Sequence, residues 1–145
     1  MRKNLLIFLI IAAAVVILDR ISKIFSPDGK CLAFICVKHT TNSGAALSLF
    51  SNFSLIIPIL IIIAFAVLAA TAFFYFREKK FGMLHIGLLL LFAGTLGNLI
   101  DRILFRHVID FMTFSFMPQF PAFNLSDMAN VAGAIIIIIA LLRKK

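Results

Sequence analysis

Acidic side chains are scarce. Aspartate and glutamate together number six in 145 residues, and charged residues of both signs make up 14%. A chain so poor in charge and 63% apolar cannot hide its apolar surface in a soluble fold of this size. A soluble domain is excluded and a membrane protein is expected. Metal-ligand spacing is also missing. His85 opens an apolar run a bilayer away from His39 and His107, so no metal and no other cofactor is expected. No serine–lysine or cysteine–histidine arrangement offers a nucleophilic side chain. Internal repeats and low-complexity linkers are absent, and the length fits one domain, residues 1–145. The net charge of +8 comes without the interleaved aromatics of a nucleic-acid-binding face, so no nucleic-acid partner is expected. The basic residues gather instead at the ends of apolar runs, where they set topology and meet anionic lipid.

What the chain does contain is four apolar runs, which predict an all-α membrane protein with spans at about 5–25, 55–76, 83–104 and 128–142. The first could pass for a signal peptide, but its alanines lie mid-run and no small-x-small site follows. Asp19, Arg20 and Lys23 instead continue it at helical spacing. Pro58 falls in the first turn of the second span, where proline is tolerated. Residues 26–53 read as an outer loop opened by the turn Pro27-Asp28-Gly29. Cys31–Thr40 reads as a strand, so the loop region has some β character. Thr41–Ala46 reads as a turn leading into small residues. Cys31 and Cys36 would face an oxidising compartment that permits a disulfide. Their close spacing within one extended run argues against its closure.

Four spans put both termini on one side. With the N-terminus inside, Arg2, Lys3, Arg77, Lys79, Lys80, Arg143, Lys144 and Lys145 are cytoplasmic, eight of fourteen basic residues. Five of the six acids then face outward, beside the six outer bases. Positive charge is left largely unpaired only inside, which favours cytoplasmic termini.

Depth sharpens this. Leu5–Leu18 spans ~21 Å, Met83–Ile100 ~27 Å and Met128–Leu142 ~22 Å, against a hydrocarbon core of ~30 Å. Asp19, Asp101 and Asp127 therefore fall in one layer near the outer boundary, on three different helices. An acid at a membrane edge needs a reason. Asp110 and Asp127, from separate segments, suit a pair that shares one proton. The charged member can take a proton from water while the protonated member polarises a scissile carbonyl. The plainer alternative is two solvated acids, with Asp127 serving a helix N-terminus. Composition alone favours that alternative. Asn98, Asp101 and Arg102 are spaced for one helix face, as are Asp19 and Lys23. Lys23 and Arg102 are the nearest cations for Asp101. Asn124, Asn42 and Gly44 fit either a substrate site or ordinary turn chemistry. Phenylalanines between 111 and 123 are expected to shape an apolar groove.

The wording around these acids is specific. Asp19–Lys23, Asn42–Ala46, Gly97–Arg102, Val108–Phe111 and Phe123–Asp127 form five ordered blocks that resemble the lipoprotein signal peptidase (signal peptidase II) family across essentially the whole chain. This resemblance turns the choice toward a site. It implies an aspartic endopeptidase of the bacterial inner membrane that removes signal peptides from lipid-modified prolipoproteins. The cut falls before the diacylglyceryl-cysteine, near the extracytoplasmic surface, without a covalent intermediate. It implies Asp110 and Asp127 as the catalytic pair. Asp19, Lys23, Asn42, Gly44, Asn98, Asp101, Arg102 and Asn124 are then scaffold or substrate contacts. The partners implied are the lipidated signal peptide and membrane lipid, met by a monomer. Three positions depart from the pattern. Arg20 replaces a common glutamine and Leu47 a common aromatic, which bears on substrate preference. Ser126 replaces an alanine and brings a hydroxyl toward the pair. A proton relay is disfavoured because the inner half holds only Glu78. The intact aspartates speak against an inactive binder.

Overall fold

The computed structural model describes residues 2–45, 50, 53, 55–78 and 81–143, with side chains from Leu5 onward. The side chains of Arg2 and Lys3, and Ala46, Leu47, Lys79, Lys80, Lys144 and Lys145, all of which entered the reading above, lie outside the described residues.

Four helices are long and apolar enough to cross a membrane: α1 (Arg2–Phe25), α2 (Ile56–Arg77), α3 (Met83–Phe105) and α4 (Leu125–Leu142). Leu6, Ile10, Ile17 and Ile24 on α1 are each more than half exposed, which water would penalise and lipid does not. The chain is a multi-pass membrane protein.

The bundle is built around α3. Ten of its residues are buried, against five in α2 and four in α4. Apolar burial gives helices in lipid little reason to associate, so close backbone approach has to supply the contact. Glycine permits it between α3 and α4. A Cβ on Gly133 would stand 2.7 Å from the Leu91 nitrogen and 2.8 Å from the Gly87 carbonyl oxygen. Neither backbone atom can rotate aside. Toward the N-terminal end of α3, Phe8 packs on Tyr75 and Phe92, with ring centroids 4.7 Å apart in both pairs. His85 sits between the rings of Tyr75 and Phe81.

The loop region holds a three-stranded antiparallel sheet in the order β1 (Cys31–Leu32), β2 (Ile35–Asn42), β3 (Val108–Phe114). Two readings need correction here. Cys31–Thr40 is not one strand, because the chain reverses at Ala33-Phe34, with Ala33 at φ 53°. That reversal pairs Cys31 with Cys36 at a Cα separation of 4.0 Å, and the two form a disulfide. Close spacing argues against closure only while the run is extended, and a hairpin removes the objection. A further strand, β3, lies where the sequence analysis assigns no element. Its run of β-branched and aromatic residues was the available signal. Pairing Thr40 with Asp110 and Asn42 with Val108, β3 lays the segment after α3 against the segment between α1 and α2.

Candidate active site

Asp110 and Asp127 reach one cavity by different routes. Asp110 lies on β3 and is 3% exposed. Asp127 is the third residue of α4 and belongs to its capping box. The Asn124 side chain accepts from the Asp127 nitrogen at 2.8 Å, and Asp127 Oδ2 accepts from the Asn124 nitrogen at 3.2 Å. The cap spends one carboxylate oxygen and leaves the other facing inward. That second oxygen, Oδ1, accepts from Asn98 Nδ2 at 2.7 Å.

Asn124 closes the ring. It is fully buried, and its Nδ2 donates to Asp110 Oδ1 at 2.6 Å and to Asn98 Oδ1 at 3.2 Å. One amide side chain and its own backbone nitrogen therefore hold both carboxylates. Both acids line a cavity of about 800 Å³ between α2, α3, α4 and the sheet, shared with Asn42, Arg102, Thr95 and Asn130. Phe114, Phe120 and Phe123 line its outer part, with Phe114 and Phe123 centroids 5.0 Å apart. This is the apolar groove expected from the sequence.

Burial pushes the Asp110 carboxyl up to about 6, and the negative charge of Asp127 adds to the rise. Hydrogen bonds from Asn124 and Asn42 and the charge of Lys23 oppose it. Asn42 also accepts from the Gly44 nitrogen at 2.9 Å, and the Gly44 carbonyl accepts from Arg102 at 3.3 Å. The segment between α1 and α2 is thus tied to α3 at the cavity rim.

Behind the cavity lies a buried ion cluster. Lys23 Nζ donates to Asp19 Oδ2 at 2.6 Å and to Asp101 Oδ2 at 2.9 Å. Asp101 Oδ1 is paired with Arg20. The assignment of Arg102 to Asp101 needs correction. Residues at i+3 and i+4 share a face only loosely, and here they divide, with Asp101 toward α1 and Arg102 on the cavity wall with Asn98. The Arg20 guanidinium pairs with Asp101 and lies 5.2 Å from the Phe105 ring centroid. The Ser126 hydroxyl is fully buried against Gly97.

The cluster also reaches the neighbours of the paired acids. Asp101 Oδ2 accepts from the Ile109 nitrogen at 3.1 Å, and Asp19 Oδ1 accepts from the Ser126 nitrogen at 3.0 Å. Each buried acid therefore fixes the residue immediately before Asp110 or Asp127. The sequence singled out eight scaffold positions, and all eight join this assembly. It missed Arg20 as an ion-pair partner, and Thr95 and Asn130 on the wall. The available signal was helical spacing: Thr95 is three residues before Asn98, and Asn130 three after Asp127.

A family model described as signal peptidase (SPase) II matches residues 11–143. The lipoprotein signal peptidase of Staphylococcus carnosus is 36% identical, covering 94% of this chain and 90% of that protein. A Staphylococcus aureus lipoprotein signal peptidase is 35% identical over 93% of this chain and 87% of its own length. Two solved structures, both described as a bacterial membrane enzyme, superpose with TM-scores of 0.81 and 0.80 at 33% and 32% identity. They cover 94% and 95% of this chain and 87% and 94% of their own.

Proposed function

The chain belongs to the signal peptidase II family, and on that premise we propose that it removes signal peptides from lipid-modified lipoprotein precursors, with Asp110 and Asp127 as the water-activating pair. The observation that carries this reading is the double grip of Asn124 on both carboxylates at the wall of a cavity open among the spans.

The chemistry needs no covalent intermediate. A water held between the carboxylates gives a proton to the charged one and attacks the scissile carbonyl carbon. The protonated carboxyl hydrogen-bonds the carbonyl oxygen as it becomes an oxyanion. The tetrahedral intermediate then collapses, the C–N bond breaks, and the amine leaves with a proton from the pair. The shared proton belongs to the pair and not to either member. Asn98 and Asn124 hold the geometry, and Asn42, Gly44 and Arg102 shape the rim. The apolar outer wall suits an acyl-modified cysteine whose chains stay in lipid. The signal segment enters among α2, α3 and α4, so the scissile bond meets water at the outer boundary.

The protein acts in the inner (cytoplasmic) membrane, as a monomer, with both termini cytoplasmic and the site near the extracytoplasmic surface. Two measurements test this. A precursor lacking the diacylglyceryl group should be cut at least about tenfold more slowly than the lipidated one, because the acyl chains contribute binding energy. Equal rates would remove the proposed substrate. An Arg77→Cys protein, whose native cysteines are joined in a disulfide, should be labelled by an impermeant maleimide only from the cytoplasmic side. Labelling from outside would invert the topology.

A further inference from the structure

Thr95 and Asn130 stand apart from everything the catalytic reading uses. Both line the cavity, and Thr95 Oγ1 donates to Asn130 Oδ1 at 3.2 Å. Asn130 is one turn along α4 from Asp127, and Thr95 one turn back along α3 from Asn98. At ~1.5 Å per residue the two lie ~4.5 Å deeper in the membrane than the carboxylates. Leu60, Ile63, Val67, Val131 and Ile135 make the wall around and below them apolar. The amide is also fitted with care. Gly94 leaves the space for it, since a Cβ there would come within 2.6 Å of Asn130 Oδ1. With Oδ1 occupied by Thr95, the Asn130 Nδ2 donor has no acceptor among the described residues.

We infer that Asn130, oriented by Thr95, binds a backbone carbonyl of the signal segment on the N-terminal side of the scissile bond. This rests on the peptidase reading above and extends it to a named subsite. The physical need is direct. A peptide bond can be attacked only where the helix has unwound, and each residue unwound at membrane depth exposes a carbonyl that lipid cannot satisfy. The segment enters from below, so the residues just N-terminal to the cut pass the deeper tier. At ~3.3 Å per extended residue, ~4.5 Å places the carbonyl one or two residues from the scissile bond. An apolar wall with one oriented amide donor satisfies that carbonyl and fixes the register of the chain against the carboxylates above.

The test uses the full chain in phospholipid vesicles with a synthetic diacylglyceryl precursor peptide. Two further peptides carry an ester in place of the amide whose carbonyl lies one or two residues before the cut, which weakens the acceptor. Asn130→Leu should raise KM about tenfold with kcat little changed, the loss of one hydrogen bond made in ground and transition states alike. Thr95→Val should show a smaller rise. One ester should cost the wild type several-fold and cost Asn130→Leu nothing further. If Asn130→Leu does not fold, Asn130→Ala takes its place. A KM unchanged in the variant, or esters that cost both enzymes equally, overturns the subsite while the peptidase reading stands. A wild type that leaves the unmodified peptide uncut overturns both. A Thr95–Asn130 pair that merely pins α3 to α4 would lower Tm and leave the ester effect unaltered.

Discussion

Asp110→Asn should leave a lipidated precursor uncut, a loss on the order of 10⁴-fold, while the protein becomes more stable at neutral pH. The two outcomes have one cause. Asp110 is buried beside a second carboxylate, and its pKa is raised from 3.8 to about 6. Such a group favours the folded state fully below about 3.8, and that contribution is lost as pH rises through about 6. Above 6 the native protein holds a charge that its surroundings disfavour. The difference from 3.8 corresponds to ~3 kcal/mol as an upper bound. Asparagine keeps an oxygen to accept from Asn124, so the ring can persist without the charge. In detergent, the Tm advantage of Asp110→Asn should therefore be largest near pH 7.5 and shrink as pH falls from 6 toward 4. Asp127→Asn should also abolish cleavage, because general acid–base work of up to ~10⁴ depends on both members. Removing the Asp127 charge should lower the Asp110 pKa as well. Cleavage within about tenfold of wild type by either purified variant would end the dyad reading. A Tm difference independent of pH would show that Asp110 is not strained by its charge.

How far the sequence revealed this depends on the kind of signal each residue carries. Apolar runs longer than a turn are read by hydropathy without knowledge of neighbours, so all four spans were visible. Hydropathy starts the fourth span at about 128, whereas α4 begins at Leu125, because the polar residues of its capping box lower local hydropathy where the helix begins. The eight scaffold positions were legible as motif blocks, but who pairs with whom was not. Arg20 lies one residue, about 100° of helix turn, from Asp19, so helical spacing sets it on another face. Only the packing of α1 on α3 shows that a long side chain can reach Asp101. The Cys31–Cys36 bridge was hidden because Ala33 and Phe34 carry none of the residues that announce a turn. Asp127 shows that two readings need not compete. As the sequence suggested it serves a helix N-terminus, and its remaining oxygen still faces the cavity.

The second large effect belongs to a residue that does not line the cavity. Lys23→Met should destabilise the protein by ~3–5 kcal/mol, as breaking a buried ion pair from one side does. It should also reduce kcat/KM by ~10²-fold, the scale of a 1 Å misplacement at a reacting centre. Lys23 is 4% exposed and, among the described residues, is the one cation bonded to both Asp19 and Asp101. Without it, among the described residues the Asp19 carboxylate keeps only the Ser126 nitrogen, and Asp101 keeps Arg20 and the Ile109 nitrogen. Two buried negative charges then repel across the space the ammonium left. Any movement of those carboxylates carries Ile109 and Ser126 with it, and so Asp110 and Asp127. The double variant Asp19→Asn/Lys23→Met separates charge from geometry. It removes one uncompensated charge while leaving an oxygen for the Ser126 nitrogen, so it should recover Tm and part of the activity lost by Lys23→Met alone. A double variant no better than the single one would mean that the ammonium acts through something other than charge balance. A Lys23→Met protein with Tm and kcat/KM close to wild type would mean that the ion cluster does not position the two aspartates at all.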